Sequence, residues 1–187
     1  MNNNEILMRS TSFDKYFENI SLKVESADNE KLALVSSVIL NTKKTNKKVL
    51  IFGNGGSSSI SDHLVVDLVN AAKIRATSYN NPGLITCFSN DYGFENWIGK
   101  AVDCYGDPGD VLILISSSGT SENMLVAAKK AKAIGLYVVT FSGFSPSNPL
   151  KCLGDINLWV DDDKYNAVEI THHIWLLSIV DCIINFE

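Results

Sequence analysis

The 187-residue sequence contains no closely spaced pair of cysteines. Its four cysteines lie far apart in the chain, at Cys87, Cys104, Cys152 and Cys182. A Cys-x-x-Cys redox motif and a zinc ribbon both need two cysteines within a few residues of each other, so neither is present. The first 17 residues are polar and charged, where a secretory signal would need an apolar stretch. These features predict four reduced thiols in a cytoplasmic protein.

The chain also lacks an excess of positive charge and a long hydrophobic run. It has 16 lysines and arginines against 21 aspartates and glutamates, and its formal net charge is −5. This balance argues against a nucleic-acid groove and against an anionic membrane surface as partners. No segment reaches the roughly 18 continuous apolar residues of a membrane span. A small anionic ligand remains compatible, because a few backbone amides can bind a phosphate locally.

Short apolar runs alternate with helical patterns through most of the chain. Five runs are predicted to be strands: KKVLIFG (47–53), GLITCFS (83–89), DVLILISSS (110–118), LYVVTFSG (136–143) and DINLWVDDD (155–163). Continuous apolar strands that alternate with helices indicate an α/β protein with a parallel sheet covered on both faces.

Two further helices are predicted before the first strand, over residues 12–44, with a break at residues 26–29. They must pack on the sheet edge or on another subunit. No repeat, linker or low-complexity segment divides the chain. We therefore predict a single domain over residues 1–187, in which residues 1–45 form an N-terminal helical oligomerisation segment and residues 46–187 form the core.

Two loops rich in glycine and serine follow predicted core strands and open helices: GNGGSSS at 53–59 and SSSGTSEN at 116–123. Glycines let the backbone approach a ligand, and a helix N-terminus offers unpaired N–H groups. One such loop is also typical of a simple helix cap, but two in equivalent positions favour phosphate binding. Neither loop matches the P-loop or the GxGxxG fingerprint, so we expect a sugar phosphate and no nucleotide cofactor.

Three stretches together resemble the sugar isomerase (SIS) domain: GNGGSSSISDHLVVDL (53–68), SNDYGFE (89–95) and ISSSGTSENMLVAAKKAKAIG (115–135). They are most similar to the phosphoheptose isomerase subfamily, which also contains a replication-initiator-associating protein. The resemblance covers nearly the whole chain. It implies a three-layer αβα sandwich with a flavodoxin-like sheet, and a homotetramer whose N-terminal helices bundle. It also implies interconversion of sedoheptulose 7-phosphate and heptose 7-phosphate for precursors of lipopolysaccharide or capsule.

The resemblance assigns ligand contacts to both loops. The predicted substrate-binding residues are Asn54, Gly55, Gly56, Ser57, Asp91, Ser116, Ser117, Ser118 and Ser121. Within this set, the serines of the second loop hold the phosphate and the first loop lines the sugar site. Asp91 is expected to contact a sugar hydroxyl across a subunit interface.

An aldose–ketose isomerisation needs a base and an acid beside the reacting carbons, and carboxylates and imidazoles suit both roles. His63 and Asp67 are four residues apart and share one helical face. Glu169 precedes His172 by three residues and His173 by four. Each group could also be a polar stripe on a helix surface. We predict His63, Asp67 and Glu169 as the catalytic residues.

The same side chains offer nitrogen and oxygen ligands to a divalent metal. Phosphoheptose isomerases often carry zinc, so the resemblance adds a predicted zinc site. Its predicted ligands are His63, Asp67, Glu169 and His173.

Several positions depart from the subfamily pattern. Asp67 stands where the subfamily has glutamate, and a carboxylate about 1 Å short of its target can cost on the order of 100-fold in rate. In the last helix Glu169 replaces a glutamine, His172 matches a histidine, and Leu177 occupies the position of the catalytic histidine. Leucine can neither transfer a proton nor bind a metal.

Three hypotheses fit these departures. The protein is still an isomerase, with Asp67, His63 and either Glu169 or His173 in rearranged roles. Alternatively, it is a non-catalytic SIS protein that binds a sugar phosphate and regulates or scaffolds a partner. A third hypothesis is a divergent subunit that assembles with an active paralogue.

Overall fold

A five-stranded parallel sheet forms the centre of the structure, a computed structural model that describes the backbone of residues 3–186 and the side chains of residues 8–186. The strands are β1 (Val49–Gly53), β2 (Ala76–Thr77), β3 (Val111–Ser116), β4 (Tyr137–Ser142) and β5 (Ile156–Trp159). The helices are α1 (Asn3–Glu25), α2 (Asn29–Lys44), α3 (Gly56–Asn70), α4 (Pro82–Tyr92), α5 (Trp97–Tyr105), α6 (Glu122–Ile134) and α7 (Tyr165–Phe186). A short 3-10 helix spans Pro149–Cys152. The two ends of the predicted 1–187 domain lie outside the described residues.

Successive strand residues point to opposite faces of the sheet, and both faces are buried. In β1, Val49 and Ile51 pack with α2, α3 and α7, whereas Leu50 and Phe52 pack with α5 and α6. All four side chains are fully buried. The helices therefore cover both faces, and the prediction of a three-layer αβα sandwich is confirmed.

The strand order is β2-β1-β3-β4-β5, which is the flavodoxin-like order. The chain leaves β1 towards β2 on one side and returns to β3 on the other. Gly53 at the end of β1 is paired with Ile115 in β3. The carboxyl ends of β1 and β3 therefore form the topological switch point, where open parallel sheets bind their ligands.

The prediction of a strand at GLITCFS is wrong, because this segment lies in helix α4. The side chain of Asn81 caps the helix, accepting hydrogen bonds from the backbone N–H groups of Gly83 and Leu84 at 2.9 and 3.3 Å. Pro82 follows in the first turn, where its fixed φ suits a helix. The second strand is instead the two-residue β2, which pairs with the first residues of β1.

The predicted break between the N-terminal helices is confirmed. Asp28 caps α2 by accepting a hydrogen bond from the N–H of Lys31 at 3.1 Å. Helix α2 belongs to the core, because Val35 and Ile39 are fully buried in the cluster that covers one face of the sheet.

Helix α1 packs along α7. The indole N–H of Trp175 in α7 donates to the carbonyl of Val24 in α1 at 2.9 Å. Helix α1 also carries exposed apolar side chains: Phe13 is 63% exposed and Phe17 is 65% exposed.

Helix α7 is long and apolar enough to cross a membrane by length and composition alone. Half of its most apolar 18-residue window is buried inside the structure. Its residues Trp175, Leu176, Ile179 and Val180 lie in the core cluster against the sheet. This burial is what a core helix of an α/β protein shows.

Candidate active site

The two predicted phosphate loops line one cavity at the switch point, with a volume of about 300 Å³. Its lining consists of Asn54, Gly55, Gly56, Ser57, Ile115, Ser116, Ser117, Ser118, Ser121, Tyr165 and Glu169. The structure thus brings together all the predicted substrate-binding residues except Asp91. Asp91 lies on α4, where it accepts hydrogen bonds from Asn90 and the thiol of Cys87. Its predicted contact across a subunit interface stays a prediction.

The serine loop after β3 is held in a tight turn. Gly119 adopts a φ of +64°, which favours glycine, and a Cβ added there would collide with the side chain of Asn148. The hydroxyl of Thr120 donates to that of Ser118 at 3.0 Å. The hydroxyl of Ser117 is buried and has no hydrogen-bond partner among the described residues. A buried polar group without a partner costs about 1–3 kcal/mol, so this hydroxyl is suited to meet a ligand.

Helix N-termini make this cavity suitable for an anion. Helix α3 begins at Gly56 and α6 begins at Glu122, directly after the two loops. Ser121 is the N-cap of α6, but its side chain makes no capping hydrogen bond. N–H groups in the first turn of α6 are therefore available to phosphate oxygens, and the helix dipole favours a negative charge there.

Glu169 of α7 lies directly over Gly56 at the start of α3. A Cβ added at Gly56 would collide with the carboxylate of Glu169. Glu169 can therefore approach the start of α3 this closely only because glycine has no side chain. Partial burial raises the pKa of Glu169 above its ordinary value, because removing water disfavours the charged form.

A second cavity of about 560 Å³ adjoins the first, since both share Gly56 and Glu169. It is lined by Tyr16, Gly56, Ser59, Ile60, His63, Asn166, Glu169, Ile170 and His173. The two cavities form a trough that runs from the serine loop, past Glu169, to two imidazoles.

The imidazoles of His63 and His173 contact each other edge to face. Nδ1 of His63 and Nε2 of His173 are 2.9 Å apart, within hydrogen-bond distance. Asp67 approaches the other nitrogen of His63, with its carboxylate 3.4 Å from Nε2. The carboxylate favours a proton on Nε2, which leaves Nδ1 of a neutral His63 to accept from His173. Burial lowers the pKa of His173, and the neighbouring His63 lowers it further while Asp67 opposes the change.

The structure separates the roles of the adjacent histidines. His172 is fully buried, and its Nε2–H donates to the carbonyl of Ser142 at 3.1 Å. Burial lowers the pKa of His172 to about 4. His173 points into the trough instead. Glu169, His173 and Leu177 follow each other at four-residue spacing and so share one face of α7.

The four predicted zinc ligands do not converge on one point in this arrangement. Asp67 and His173 approach opposite nitrogens of the His63 ring. Two imidazole nitrogens bound to one tetrahedral zinc are roughly 3.3 Å apart, which is wider than the 2.9 Å between His63 and His173. Within residues 8–186, no group of three or more histidine, cysteine, aspartate or glutamate side chains is arranged to hold a metal ion. The residues as placed do not fit zinc.

Sequence reasoning missed several residues of the site. Tyr165 lines the first cavity, Tyr16 and Asn166 line the second, and Asn123 bonds to Asn54 behind the first. Asn123 lies inside the motif SSSGTSEN, so this motif was the signal from which Asn123 could have been found. Tyr16 could not be found in this way, because it comes from α1, far from every motif.

The fold and this site match those of known proteins. The family model of the SIS domain matches residues 12–143. The chain is 33% identical over 183 residues to the phosphoheptose isomerase of Fusobacterium nucleatum, covering 95% of this chain and 92% of that protein. It is 31% identical over 166 residues to a probable phosphoheptose isomerase of Thermoplasma acidophilum, covering 84% and 90%.

A solved structure of a phosphoheptose isomerase from Francisella tularensis superposes with a TM-score of 0.88 at 25% identity. The superposition covers 96% of this chain and 98% of that one. Fold, switch-point loops and sequence therefore agree, and the chain belongs to the SIS domain family, in its phosphoheptose isomerase subfamily.

Proposed function

We propose that this protein is a phosphosugar isomerase that interconverts sedoheptulose 7-phosphate and heptose 7-phosphate, for precursors of surface polysaccharides such as lipopolysaccharide or capsule. The observation that carries this proposal is the position of Glu169, which lines both the serine-loop cavity and the cavity of the two imidazoles. A sugar phosphate bound along the trough has its phosphate at the serines and its reacting carbons near Glu169. The subfamily membership supports the choice of a heptose.

The phosphate end of the substrate is held by hydroxyls and helix N-termini. Ser116, Ser117, Ser118 and Ser121 donate to phosphate oxygens, and the first turn of α6 adds backbone N–H groups. These contacts stay the same during the reaction, so they hold the sugar in place and do not speed the chemical step directly. Asn54 and Ser57 line the path of the sugar.

Glu169 is the proposed base that takes the proton from the carbon next to the carbonyl. A base works best with a pKa near the operating pH, and the burial that raises the pKa of Glu169 moves it in this direction. The proton taken from C1 of the ketose returns to C2, while the carbonyl oxygen on C2 gains a proton and the hydroxyl on C1 gives one up, which converts the ketose into the aldose through an enediol. Carbon and oxygen atoms are conserved, and no oxidant or reductant is needed.

The His63–His173 pair is the proposed group that serves the substrate oxygens. Because Nε2 of His173 is engaged by Nδ1 of His63, the nitrogen of the pair that is left for the substrate is Nδ1 of His173. A proton carried there donates to the carbonyl oxygen and stabilises the negative charge that develops as the enediol forms. Asp67 orients His63 through the Nε2 nitrogen of the imidazole, and its negative charge acts to raise the pKa of His173. In this assignment His173 provides the imidazole that Leu177 cannot, from one helical turn earlier.

The predicted zinc at His63, Asp67, Glu169 and His173 is not used in any of these steps, because the donors as placed do not fit the ion. It stays a prediction, tested by the metal content of the purified protein. Zinc at one ion per chain, lost in a His63→Ala variant, would show that the imidazole pair opens to bind metal.

A second candidate function is binding without catalysis, in a regulatory or scaffold protein. The observation that favours it is Leu177, which occupies the position of the subfamily's catalytic histidine on the face of α7 that carries Glu169 and His173. In this case the serine loop still binds the sugar phosphate, and no turnover follows.

We further propose a cytoplasmic homotetramer that consists of one domain per chain, with residues 1–45 as the oligomerisation segment. Within this segment α1 supplies the exposed surface, while α2 also packs into the core. The exposed Phe13 and Phe17 of α1 support this assignment, because apolar side chains of this size favour a partner surface. The sugar phosphate is the proposed small-molecule partner.

Incubation of the purified protein with sedoheptulose 7-phosphate tests the main proposal. We expect heptose 7-phosphate to form, with retention of the phosphate, as followed by NMR of the anomeric protons. A panel of pentose and hexose phosphates tests the choice of sugar. Thermal stabilisation by these phosphosugars without turnover of any of them would refute the isomerase and support the binding protein.

A further inference from the structure

Asn54 and Asn123 form a reciprocal pair of side-chain hydrogen bonds. Nδ2 of Asn54 donates to Oδ1 of Asn123 at 3.1 Å, and Nδ2 of Asn123 donates to Oδ1 of Asn54 at 2.9 Å. Each amide therefore acts as donor and acceptor to the other. Such a pair fixes the orientation of both planar groups.

The pair links the two loops of the phosphate cavity. Asn54 follows β1, and Asn123 lies in the first turn of α6, after the serine loop that follows β3. Beyond the pairing of β1 with β3, residues 3–186 show no other hydrogen bond between residues 54–59 and residues 116–123. The two amides therefore add a link between these loops beyond the point where the β1–β3 pairing ends.

The two partners differ in their access to a ligand. Asn54 is partly exposed and lines the cavity, whereas Asn123 is only 2% exposed and does not line it. The side chain of Asn123 thus reaches a bound ligand only through Asn54. Burying an asparagine costs folding free energy unless its amide is hydrogen-bonded, and here Asn54 is the partner that offsets this cost.

We propose that Asn123 is a positioning residue for phosphate binding, which holds Asn54 and the serine loop at the spacing that the ligand needs. The inference rests on the phosphate-binding part of the proposed function and not on isomerisation. Catalytic sites tolerate only small displacements of their groups, so loss of this link weakens binding even though no contact to the ligand is removed.

The substitution Asn123→Asp gives a test that depends on pH. An ionised carboxylate still accepts from Nδ2 of Asn54, but its second oxygen faces Oδ1 of Asn54, and two acceptors repel each other. A protonated carboxyl donates to Oδ1 and restores the reciprocal pair. Burial of the introduced carboxyl raises its pKa, so protonation is reached at mildly acidic pH.

Binding of inorganic phosphate is measured by isothermal titration calorimetry between pH 5 and pH 8, with each variant compared with the wild type at the same pH. We expect Asn123→Asp to bind about 10-fold more weakly at pH 8, and to approach the wild-type affinity towards pH 5. If the ratio of the phosphate affinities of Asn123→Asp and the wild type did not change with pH, the proposal would be overturned. A merely structural defect does not recover when the introduced carboxylate is protonated. The wild type itself must bind phosphate, and absence of binding would also overturn it.

A double-mutant cycle gives an independent measurement. Asn123→Leu is expected to weaken phosphate binding in the wild type and to have little further effect in an Asn54→Leu background, because the pair is already broken. Fully additive effects would contradict the inference. Lys129→Gln, a change at an exposed residue of α6 beyond its first turn, is the control and should bind phosphate as the wild type does.

The failure of this inference can be distinguished from failure of the proposed function. Phosphate binding with the expected pH dependence, but without turnover of any phosphosugar, refutes the isomerase and leaves the role of Asn123 supported. Turnover of sedoheptulose 7-phosphate with an unchanged KM in Asn123→Asp at pH 8 refutes the role of Asn123 and leaves the isomerase supported.

Discussion

His173 of α7 and His63 of α3 face each other across the trough, with Nε2 and Nδ1 2.9 Å apart. The two residues are 110 positions apart in the sequence, and only the packing of α7 against α3 brings them together. The contact places an imidazole pair beside Glu169, one helical turn before Leu177. Leu177, at the position that the resemblance assigns to a catalytic histidine, cannot titrate, whereas His173 in the preceding turn of the same face can.

Replacement of His173 tests whether this pair serves the reaction. We expect His173→Leu to lower kcat for sedoheptulose 7-phosphate by about 100-fold or more, which is the usual contribution of a positioned acid or base. KM should change little, because the phosphate loops are not altered. Steady-state kinetics measure both constants. Ile174→Leu, at the exposed neighbouring position, is the control. An unchanged kcat in His173→Leu would show that the pair has no role in the chemical step.

Replacement of Glu169 tests the proposed base through the pH profile. The base acts when it is ionised, so kcat/KM should rise with pH through the pKa of Glu169 in the free protein. Because burial raises that pKa, the rise should lie above pH 4.5, the ordinary value for glutamate. Glu169→Gln should remove this limb of the profile and lower kcat by about 100-fold or more. Persistence of the same acidic limb in Glu169→Gln would assign it to another group.

Substitution of Gly56 is expected to impair the active site without lowering the stability of the fold. Gly56 lies in the first turn of α3 and has no positive φ, so alanine suits its backbone and gains up to about 1 kcal/mol of helix propensity. The added Cβ must, however, displace the carboxylate of Glu169. We therefore expect Gly56→Ala to lose most of its isomerase activity without a fall in melting temperature. Ser58→Ala in the same helical turn is the control and should keep its activity. A fully active Gly56→Ala variant would argue against the placement of Glu169.

Stability between pH 4 and pH 6.5 should depend on His172. Its pKa is about 4 in the folded protein and about 6.5 in the unfolded chain, so folding favours the neutral ring. The stabilisation is fully present above pH 6.5 and is lost as the pH falls towards 4, because the unfolded chain binds a proton that the folded protein does not. This difference between the two pKa values of His172 corresponds to about 3 kcal/mol of unfolding free energy. Chemical denaturation at several pH values measures it.

His172→Gln is the matched variant for this prediction. The amide nitrogen of glutamine can reach the carbonyl of Ser142 in place of the imidazole Nε2–H, but glutamine does not titrate. Its unfolding free energy should therefore vary less between pH 4 and pH 6.5 than that of the wild type. An equal pH dependence in both proteins would assign the effect to other groups.

Much of the fold and of the phosphate site could be predicted from local sequence patterns. The core strands β1 and β3 are continuous apolar runs, β4 and β5 are mostly apolar, and glycine- and serine-rich loops end β1 and β3. Residues in a loop are held near one another by the chain itself, so a motif such as SSSGTSEN keeps its chemistry in any fold that places it after a strand. The strand predicted at GLITCFS failed because an apolar run of this length is also compatible with a helix, and Asn81 and Pro82 start one.

The sequence by itself determined the α/β class, the two phosphate loops and the subfamily, because each depends on neighbouring residues in the chain. Only the tertiary structure decided that His173 and not His172 enters the trough, and that Asn123 pairs with Asn54. These relationships join elements that are far apart in sequence, and the rotation of α7 about its own axis decides which of two adjacent histidines meets α3. That rotation follows from how Trp175, Leu176 and Ile179 pack against the sheet, a property of the whole core that local patterns do not contain.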